Sequence, residues 1–382
     1  MKIHKDLDIV AALLSCYDFR VSAVEMADRM GITDQHLRAI IRRVRKIELE
    51  NIKKHRRSTM ALVDHRAIGL QSVIAMVHGA EELARKFNAI RQERSMNAWF
   101  QLELPLVRYL VSVSRLFGGK MLLTYKVPKR FVPELVDGFK ESLGDRISFV
   151  DVGYAVPVYN CVGRIARSLD DIRETYSMHA DTFENVARFT PLNSRMRFVD
   201  VIVVTMVEYY PLLRNIDLRS VNLLARARVE DITRKLPPDA ALRLRYMKSH
   251  YDRLSEKGYI GRTWLGAVLH NGGRGDVGVS MVVAGGDCAE QLYVLAASTL
   301  SAPQLFIGEE RVIATFLVNN EIRPLLTGFI EEYCSGKVYS ENTVLGSVAV
   351  PTPVEMFDPW RNEWDTQPHD VAEALKKFRL IE

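Results

Sequence analysis

The alternation of apolar and polar residues predicts a first series of strands and helices in the first half of the chain. Strands are expected at residues 69–77, 107–114, 120–127 and 147–156, and helices at residues 80–90 and 130–143. Along the chain this order is β-α-β-β-α-β, which is the split βαβ or ferredoxin-like arrangement. The pattern therefore predicts one compact sheet covered by two helices.

A second series with the same order follows in the other half of the chain. Its strands are expected at residues 276–284, 304–307, 311–318 and 343–350, and its helices at residues 289–298 and 321–333. Residues 120–143 and 311–334 match each other without a gap, with Thr124, Pro133 and Glu141 falling on Thr315, Pro324 and Glu332. A self-match at about half the chain length predicts a tandem duplication.

The residues before the first series have the spacing of a helix-turn-helix. Ser22 and Glu25 form a capping-box pattern, and Thr33 is a suitable N-cap for a longer helix that reaches residue 47. Ala27, Gly31 and Leu37 stand where a small residue, a turn glycine and a junction leucine are needed. Residues 51–64 then suit a wing with a strand at 58–64.

A second, altered copy of this motif precedes the second series. It begins with an apolar helix at residues 197–210 and ends with a long helix at about 239–257 and a wing from Tyr259. The copy contains Pro237-Pro238 and has no glycine at the turn between the helices. This copy therefore departs from the helix-turn-helix spacing of the first.

The predicted fold class is α+β, with two winged helix-turn-helix domains alternating with two ferredoxin-like βαββαβ domains. The expected boundaries are 1–64 for the first winged helix, 65–158 for the first ferredoxin-like domain and 159–194 for a linker with a helix. The second winged helix is expected at 195–270, the second ferredoxin-like domain at 271–355, and a terminal loop and helix at 356–382.

Composition narrows the class of protein further. The chain is 48% hydrophobic and 26% charged, and it contains neither an apolar run long enough for a transmembrane helix nor a signal-peptide pattern at its start. The cysteines are scattered, without the spacing of a zinc site or a disulfide framework. A cytoplasmic location, no cofactor and no metal site are expected.

Positive charge is concentrated in the first winged helix rather than spread over the chain. Residues 29–57 contain ten basic side chains against three acidic ones, although the net charge of the whole chain is only +5. A local basic surface of this kind favours contact with phosphates. The alternative is a merely solvated helix face, which charge alone does not exclude.

At this point the sequence resembles the Lrp/AsnC family of bacterial and archaeal transcription regulators. The likeness lies in residues 252–267 (DRLSEKGYIGRTWLGA), in residues 61–70 (ALVDHRAIGL), and in the glycine hairpins before Met121 and Val312. The resemblance implies a DNA-binding winged helix joined to a ligand-binding βαββαβ domain. The expected partners are double-stranded DNA, a small-molecule effector and another ferredoxin-like domain through self-association.

If the resemblance holds, the helix after Thr33 lies in the major groove and the wing follows the phosphate backbone. The DNA-contacting residues that it implies in the first motif are Gln35, His36, Arg38, Arg42, Arg43, Arg45, Lys46, Lys53, Lys54, Arg56 and Arg57. Those that it implies in the second motif are Arg243, Arg245, Lys248, His250, Arg253, Lys257 and Arg262. The hairpin glycines Gly118, Gly119 and Gly308 are the expected ligand-binding residues, although such glycines often serve only the turn.

An enzymatic alternative comes from siroheme decarboxylases, which use the same two-domain plan. Their chemistry would need histidine and arginine beside a tetrapyrrole cleft, and His65-Arg66 and His270 with Arg274 stand at matching places before each sheet. No phosphate-binding loop, HExxH or GxSxG motif is present. The main prediction is thus a regulator without enzymatic activity. The alternatives are the decarboxylase and a protein-interaction scaffold whose winged helix does not bind DNA.

Overall fold

The computed structural model describes residues 24, 27, 32–39, 42, 59–79, 109–158, 168–178, 197–209, 247–257, 259–264, 277–299, 304–349, 352 and 356–365. The helix predicted at residues 80–90 and the terminal helix predicted after the loop that begins at residue 356 lie outside these ranges, as does most of the first helix-turn-helix. His270 and Arg274 lie outside them as well.

Within the described ranges, strands and helices occur close to where the apolar pattern predicts them. The strands are β1 Thr59–Val63, β2 Leu70–Val77, β3 Leu110–Leu116, β4 Met121–Pro128, β5 Ile147–Pro157, β6 Ile260–Trp264, β7 Val277–Gly285, β8 Gln304–Gly308, β9 Arg311–Asn319, β10 Val338–Ala349, β11 Phe357–Asp358 and β12 Glu363–Trp364. The helices are α1 Val132–Leu143, α2 Leu169–Met178, α3 Phe198–Tyr209, α4 Met247–Glu256, α5 Ala289–Ser298 and α6 Arg323–Cys334.

Eight of these strands form one closed antiparallel barrel in the order β10-β3-β4-β2-β5-β8-β9-β7. Strands β3-β4-β2-β5 come from the first half of the chain and β8-β9-β7-β10 from the second. The halves join where β5 pairs with β8 and where β10 pairs with β3. The mixed helix and strand content agrees with the predicted α+β class. The closed barrel differs from the two separate sheets expected, because the edge strands of each half form backbone hydrogen bonds with the edge strands of the other.

Successive side chains along each strand point alternately into the barrel interior and toward the outer face, which the helices cover. Side chains from both halves fill the interior, namely Ile74, Met76, Leu116, Leu122, Met281, Val283, Phe306 and Ile313. The opposite faces pack beneath the helices, for example Tyr125 against Phe139 of α1 in the first half. Phe316 lies in the corresponding core of the second half.

Strand register relates positions in the two halves. Ile74 of β2 stands opposite Thr124 of β4, and Met281 of β7 stands opposite Thr315 of β9. Because Thr124 and Thr315 also coincide in the sequence self-match, each remaining position on these strands has a counterpart in the other half. The tandem duplication itself stays a prediction, as do the domain boundaries.

The two predicted wings contain strands that pair with each other. Strand β1 pairs with β6 of the other half, so these strands form one small sheet. In the first motif, the hydroxyl of Thr33 accepts a hydrogen bond from the His36 amide at 3.2 Å, which confirms the predicted N-cap. Ala27 and Leu37 are buried, as their spacing predicts.

A short hairpin formed by β11 and β12 packs against the core of the first half. The indole Nε1 of Trp364 donates to the carbonyl of Ile68 at 2.7 Å. Its ring packs edge-on against Phe357, and the ring of Tyr109 lies on another side. The hairpin lies where a terminal loop is predicted from residue 356 onward.

Among the residues that the structure covers, no helix combines the length and the apolar character needed to cross a membrane.

Candidate active site

A cluster of buried ionisable side chains lies at the barrel end where β2 begins and β4 ends. A single 3-10 turn, His65–Ile68, places its first member between β1 and β2. The side chain of Asp64 caps this turn by accepting from the Arg66 amide at 3.0 Å, and Gly69 ends it with a φ of 75°. The local sequence therefore holds His65 rigidly at the barrel end.

His65 forms a hydrogen-bonded pair with a glutamate from the other half of the chain. Its Nε2 donates to Oε1 of Glu208 in α3 at 2.8 Å, and the second oxygen of Glu208 accepts from the Thr352 amide at 2.7 Å. The histidine is only 6% exposed. Its Nδ1 is buried and has no hydrogen-bond partner among the described residues.

A buried lysine lies beside this pair on the inner face of β4. Lys126 is 2% exposed, and its Nζ donates to the hydroxyl of Ser72, its register partner on β2, at 2.7 Å. Its charge acts on His65, and the charges of Asp64 and Glu208 act on it. The inner face carries apolar side chains farther along the same two strands, so the lysine marks a polar end of the barrel.

Asp64 and Arg66 form the outer side of the cluster. The guanidinium donates twice to the carboxylate, with Nη2 at 2.6 Å from Oδ2, and it lies over the ring of Tyr154 at 4.0 Å from the centroid. Asp64 is fully buried, so this ion pair neutralises a charge that would otherwise be costly. The positive charge of Arg66 is thus largely committed to Asp64.

Burial sets the protonation states of the cluster. It lowers the pKa of His65, with help from the charge of Lys126, despite the opposing hydrogen bond to Glu208. It also lowers the pKa of Lys126 to about 8. For Glu208, burial alone would raise the pKa, but the hydrogen bond from His65 and the bonds from Thr352 outweigh it and hold that pKa below its usual value. A neutral imidazole beside a carboxylate follows for neutral pH.

This arrangement is suited to proton transfer. A carboxylate that accepts from one ring nitrogen fixes the tautomer and leaves the other nitrogen as the base. The free atom is Nδ1 of His65, and Lys126 places a second titratable group with a pKa near neutrality beside it. Clusters of perturbed ionisable groups are concentrated at catalytic sites. Within the described ranges, no group of three or more His, Cys, Asp and Glu side chains could hold a metal ion.

The predicted DNA-contacting residues of the first motif are only partly described. Gln35, His36, Arg38 and Arg42 are helical and exposed. The guanidinium Nε of Arg38 donates to Asp34 at 2.7 Å, four residues earlier. Arg43, Arg45, Lys46, Lys53, Lys54, Arg56 and Arg57 lie outside the described residues.

In the second motif, His250 and Arg253 face the protein interior. His250 is buried, and its Nδ1 bonds to Asp200 of α3 at 2.6 Å. Arg253 donates to the same carboxylate. Each side chain bonds to the buried Asp200, and contact of these two residues with DNA stays a prediction.

Two further residues of this motif, Lys248 and Lys257, are exposed. Arg262 lies on β6, and Arg243 and Arg245 lie outside the described ranges.

The predicted ligand-binding glycines serve the hairpins. Gly118 and Gly119 adopt φ angles of 78° and 72° and form an exposed turn with open space around them. Gly308 instead lies against the carboxylate of Asp151, which accepts from the amides of Glu309 at 3.2 Å and Arg311 at 2.9 Å. A side chain of the protein itself therefore occupies the space that Gly308 opens.

Sequence reasoning identified only His65 and Arg66 from the buried cluster. Lys126 and Glu208 each interrupt an otherwise apolar element, in the segments MLLTYKVP and FVDVIVVTMVEY. A charged residue in such a segment is a usable signal, since buried charges are rare unless they are paired or functional. Their partners could not be read from the sequence, because 143 residues separate His65 from Glu208.

No family model and no curated protein matches the chain. Two solved structures match it along nearly its whole length. One is the crystal structure of the siroheme decarboxylase NirDL, with 11% identity, 98% of each chain covered and a TM-score of 0.43. The other is the same enzyme in complex with an iron-uroporphyrin III analogue, with 12% identity, 98% of each chain covered and a TM-score of 0.42.

The prediction that the chain has no enzymatic activity is contradicted by these comparisons, since both matching structures are of a decarboxylase. We do not retain that prediction.

Proposed function

We propose that the chain is an enzyme of the siroheme-decarboxylase-like type that uses the buried cluster around His65 as its proton source. The observation that carries the proposal is the His65–Glu208 pair, in which one ring nitrogen bonds to a carboxylate and the other is buried without a described partner. Decarboxylation breaks the bond between a carbon and its carboxylate, releases CO2 and replaces it with a proton. The site must therefore hold an anion and deliver one proton.

The side chains of the cluster divide these tasks. Below a pH of about 8, Lys126 is an ammonium group that can pair with a substrate carboxylate. The same carboxylate favours protonation of His65, because a nearby negative charge stabilises the imidazolium. Glu208 orients the ring and stabilises its charged form, and Nδ1 then gives its proton to the carbon that loses CO2.

The substrate class of this proposal, a carboxylate-bearing tetrapyrrole, comes from the plan that the sequence shares with siroheme decarboxylases. Binding is tested first, by titrating the purified protein with siroheme and following the visible absorbance. Turnover is then tested by the release of CO2 and by product masses that have each lost CO2. Absence of both binding and turnover would exclude the tetrapyrrole assignment.

The role of the dyad is tested with His65→Gln and Glu208→Gln. Both should reduce turnover at least about 100-fold, which is the contribution expected of a positioned acid or base, while siroheme binding changes little. His250→Gln is the matched control, because His250 is also buried against a carboxylate but lies outside the cluster. Equal loss of activity in all three variants would indicate a purely structural effect and contradict the proposal.

DNA binding by the first winged helix is a second candidate function, favoured by the exposed helix start at Gln35, His36 and Arg38. With it we propose the basic residues of that motif as phosphate contacts. Replacing Arg42 and Arg43 with alanine should weaken binding about evenly across sequences and lower the salt dependence by about one unit for each lost phosphate contact. A DNA titration at two salt concentrations measures this, and unchanged affinity would exclude the groove assignment.

A further inference from the structure

Lys126 occupies a position that the barrel can fill with apolar side chains. Its register partner is Ser72, whereas the corresponding pair in the second half is Val279 opposite Leu317. The two strand pairs are otherwise alike, with a threonine two residues before Lys126 and two residues before Leu317. The fold therefore does not require a lysine here, and a buried amine needs another explanation.

The buried surroundings of Lys126 favour its neutral amine form more strongly than water favours that form for a lysine on the surface. The charged and titratable groups that act on it or on its neighbours are Asp64, His65, Arg66 and Glu208. The charges of Asp64 and Glu208 act on Lys126, while the described bonds of these carboxylates include those from Arg66 and His65. The described hydrogen-bond partner of Nζ is the neutral hydroxyl of Ser72.

We propose that Lys126 is an amine nucleophile that captures small aldehydes or ketones as a Schiff base. Nζ attacks the carbonyl carbon, and the carbonyl oxygen takes up a proton to give a carbinolamine. Loss of water then forms the C=N bond, with His65 donating the proton to the departing hydroxyl group. Nδ1 of His65 takes each of the two protons that Nζ loses and passes it to the oxygen, so the dyad ends unchanged and the reaction needs neither an oxidant nor a reductant. Lysines desolvated in this manner are the nucleophiles of Schiff-base enzymes.

This activity goes beyond the proposed decarboxylation and uses the opposite protonation state of the same lysine. Decarboxylation needs the ammonium form and should decline as the pH rises through about 8, whereas carbonyl capture should increase over the same range. The two proposals can therefore fail separately. Loss of siroheme turnover does not affect the capture of an aldehyde.

The test is reductive alkylation of the intact chain with propanal and cyanoborohydride, which converts the imine into a stable secondary amine at the lysine. Peptide mass spectrometry gives the rate at each site. Lys126 should be modified at pH 7 at least about tenfold faster than the exposed Lys140, because burial lowers the pKa of Lys126 to about 8 and makes more of its amine neutral. The rate at Lys126 should level off above a pH of about 8.

Two variants separate reactivity from folding. Lys126→Met should remove the fast-labelling site without lowering stability, and His65→Gln should slow the labelling of Lys126 without changing that of Lys140. Labelling of Lys126 at or below the rate of Lys140, including no labelling at all, would overturn the proposal. So would rates at the two sites that rise in parallel with pH.

Discussion

The buried polar pair Ser72 and Lys126 is predicted to make the folded barrel less stable than an apolar pair would. Replacing it with the apolar pair found in the second half tests this prediction. The double variant Ser72→Val, Lys126→Leu gives the first half the side chains that Val279 and Leu317 place at the corresponding register positions. A buried charge replaced by apolar residues of similar volume is often neutral or stabilising. We expect the variant to fold into the same barrel with increased stability.

The magnitude follows from the protonation of Lys126. Burial lowers its pKa from 10.5 to about 8, and at about 1.4 kcal/mol for each tenfold change in acidity the buried ammonium destabilises the folded chain by about 3 kcal/mol at pH 7. Between these two pKa values the unfolded chain binds the additional proton, so the stability of the unaltered protein rises with pH across this interval. The advantage of the variant is therefore largest below pH 8 and decreases toward pH 10.5.

Urea unfolding at pH 7 and at about pH 9.5 measures both effects. The variant should be more stable by about 1–3 kcal/mol at pH 7, because imperfect packing of the two new side chains offsets part of the gain. The difference in stability should shrink at the higher pH. A variant less stable than the parent at pH 7, or a difference independent of pH, would refute the reasoning. Leu317→Lys is the matched control and should be destabilising, since no Ser72 equivalent receives its amine.

Three further predictions concern other parts of the fold. Gly308→Ala should lower stability by about 2–3 kcal/mol, because the new Cβ collides with the carboxylate of Asp151. Gly328→Ala in α6 is the control: its Cβ meets no atom within 4 Å, so the higher helix propensity of alanine should raise stability by up to about 1 kcal/mol in the same urea assay. Asp200→Asn should lower stability by about 3 kcal/mol at neutral pH. Burial alone would raise the pKa of this carboxyl, but His250 and Arg253 hold it below its usual value, so its contribution to stability is lost only as the pH falls below 3.8. The free energy of unfolding of the variant should therefore depend less on pH below 3.8 than that of the parent, and equal pH dependence in both proteins would contradict this. Trp364→Phe should reduce stability by about 1 kcal/mol through loss of the bond to Ile68, and an unchanged thermal midpoint would show that the bond contributes nothing.

The elements and their order could be predicted from local sequence patterns. Alternation of apolar residues located the barrel strands, and the strongly amphipathic pattern of α1 located its helix within two residues. The side chain of Thr33 capped the helix as predicted, and Gly118 and Gly119 adopted positive φ angles at the hairpin. These features depend on contacts within a few residues, and such contacts are encoded locally.

The way in which the elements join depends on contacts between distant parts of the chain. The apolar pattern shows which face of a strand is buried, but the backbone groups at a strand edge are the same for every sequence. The pairing of β5 with β8 and of β1 with β6 was therefore not predictable from the pattern. Closure of the barrel removes edges that two separate sheets would have left exposed.

The partners of the buried polar residues were decided in the same way. Lys126, Glu208 and Asp200 were visible in the sequence only as interruptions of apolar segments. Whether such a residue is exposed, paired or catalytic depends on what distant parts of the chain place beside it. Folding brought Glu208 to His65, and it turned His250 and Arg253 inward to Asp200. The energy of a buried charge is set by its surroundings rather than by its neighbours in the chain, so the candidate active site emerged only with the tertiary structure.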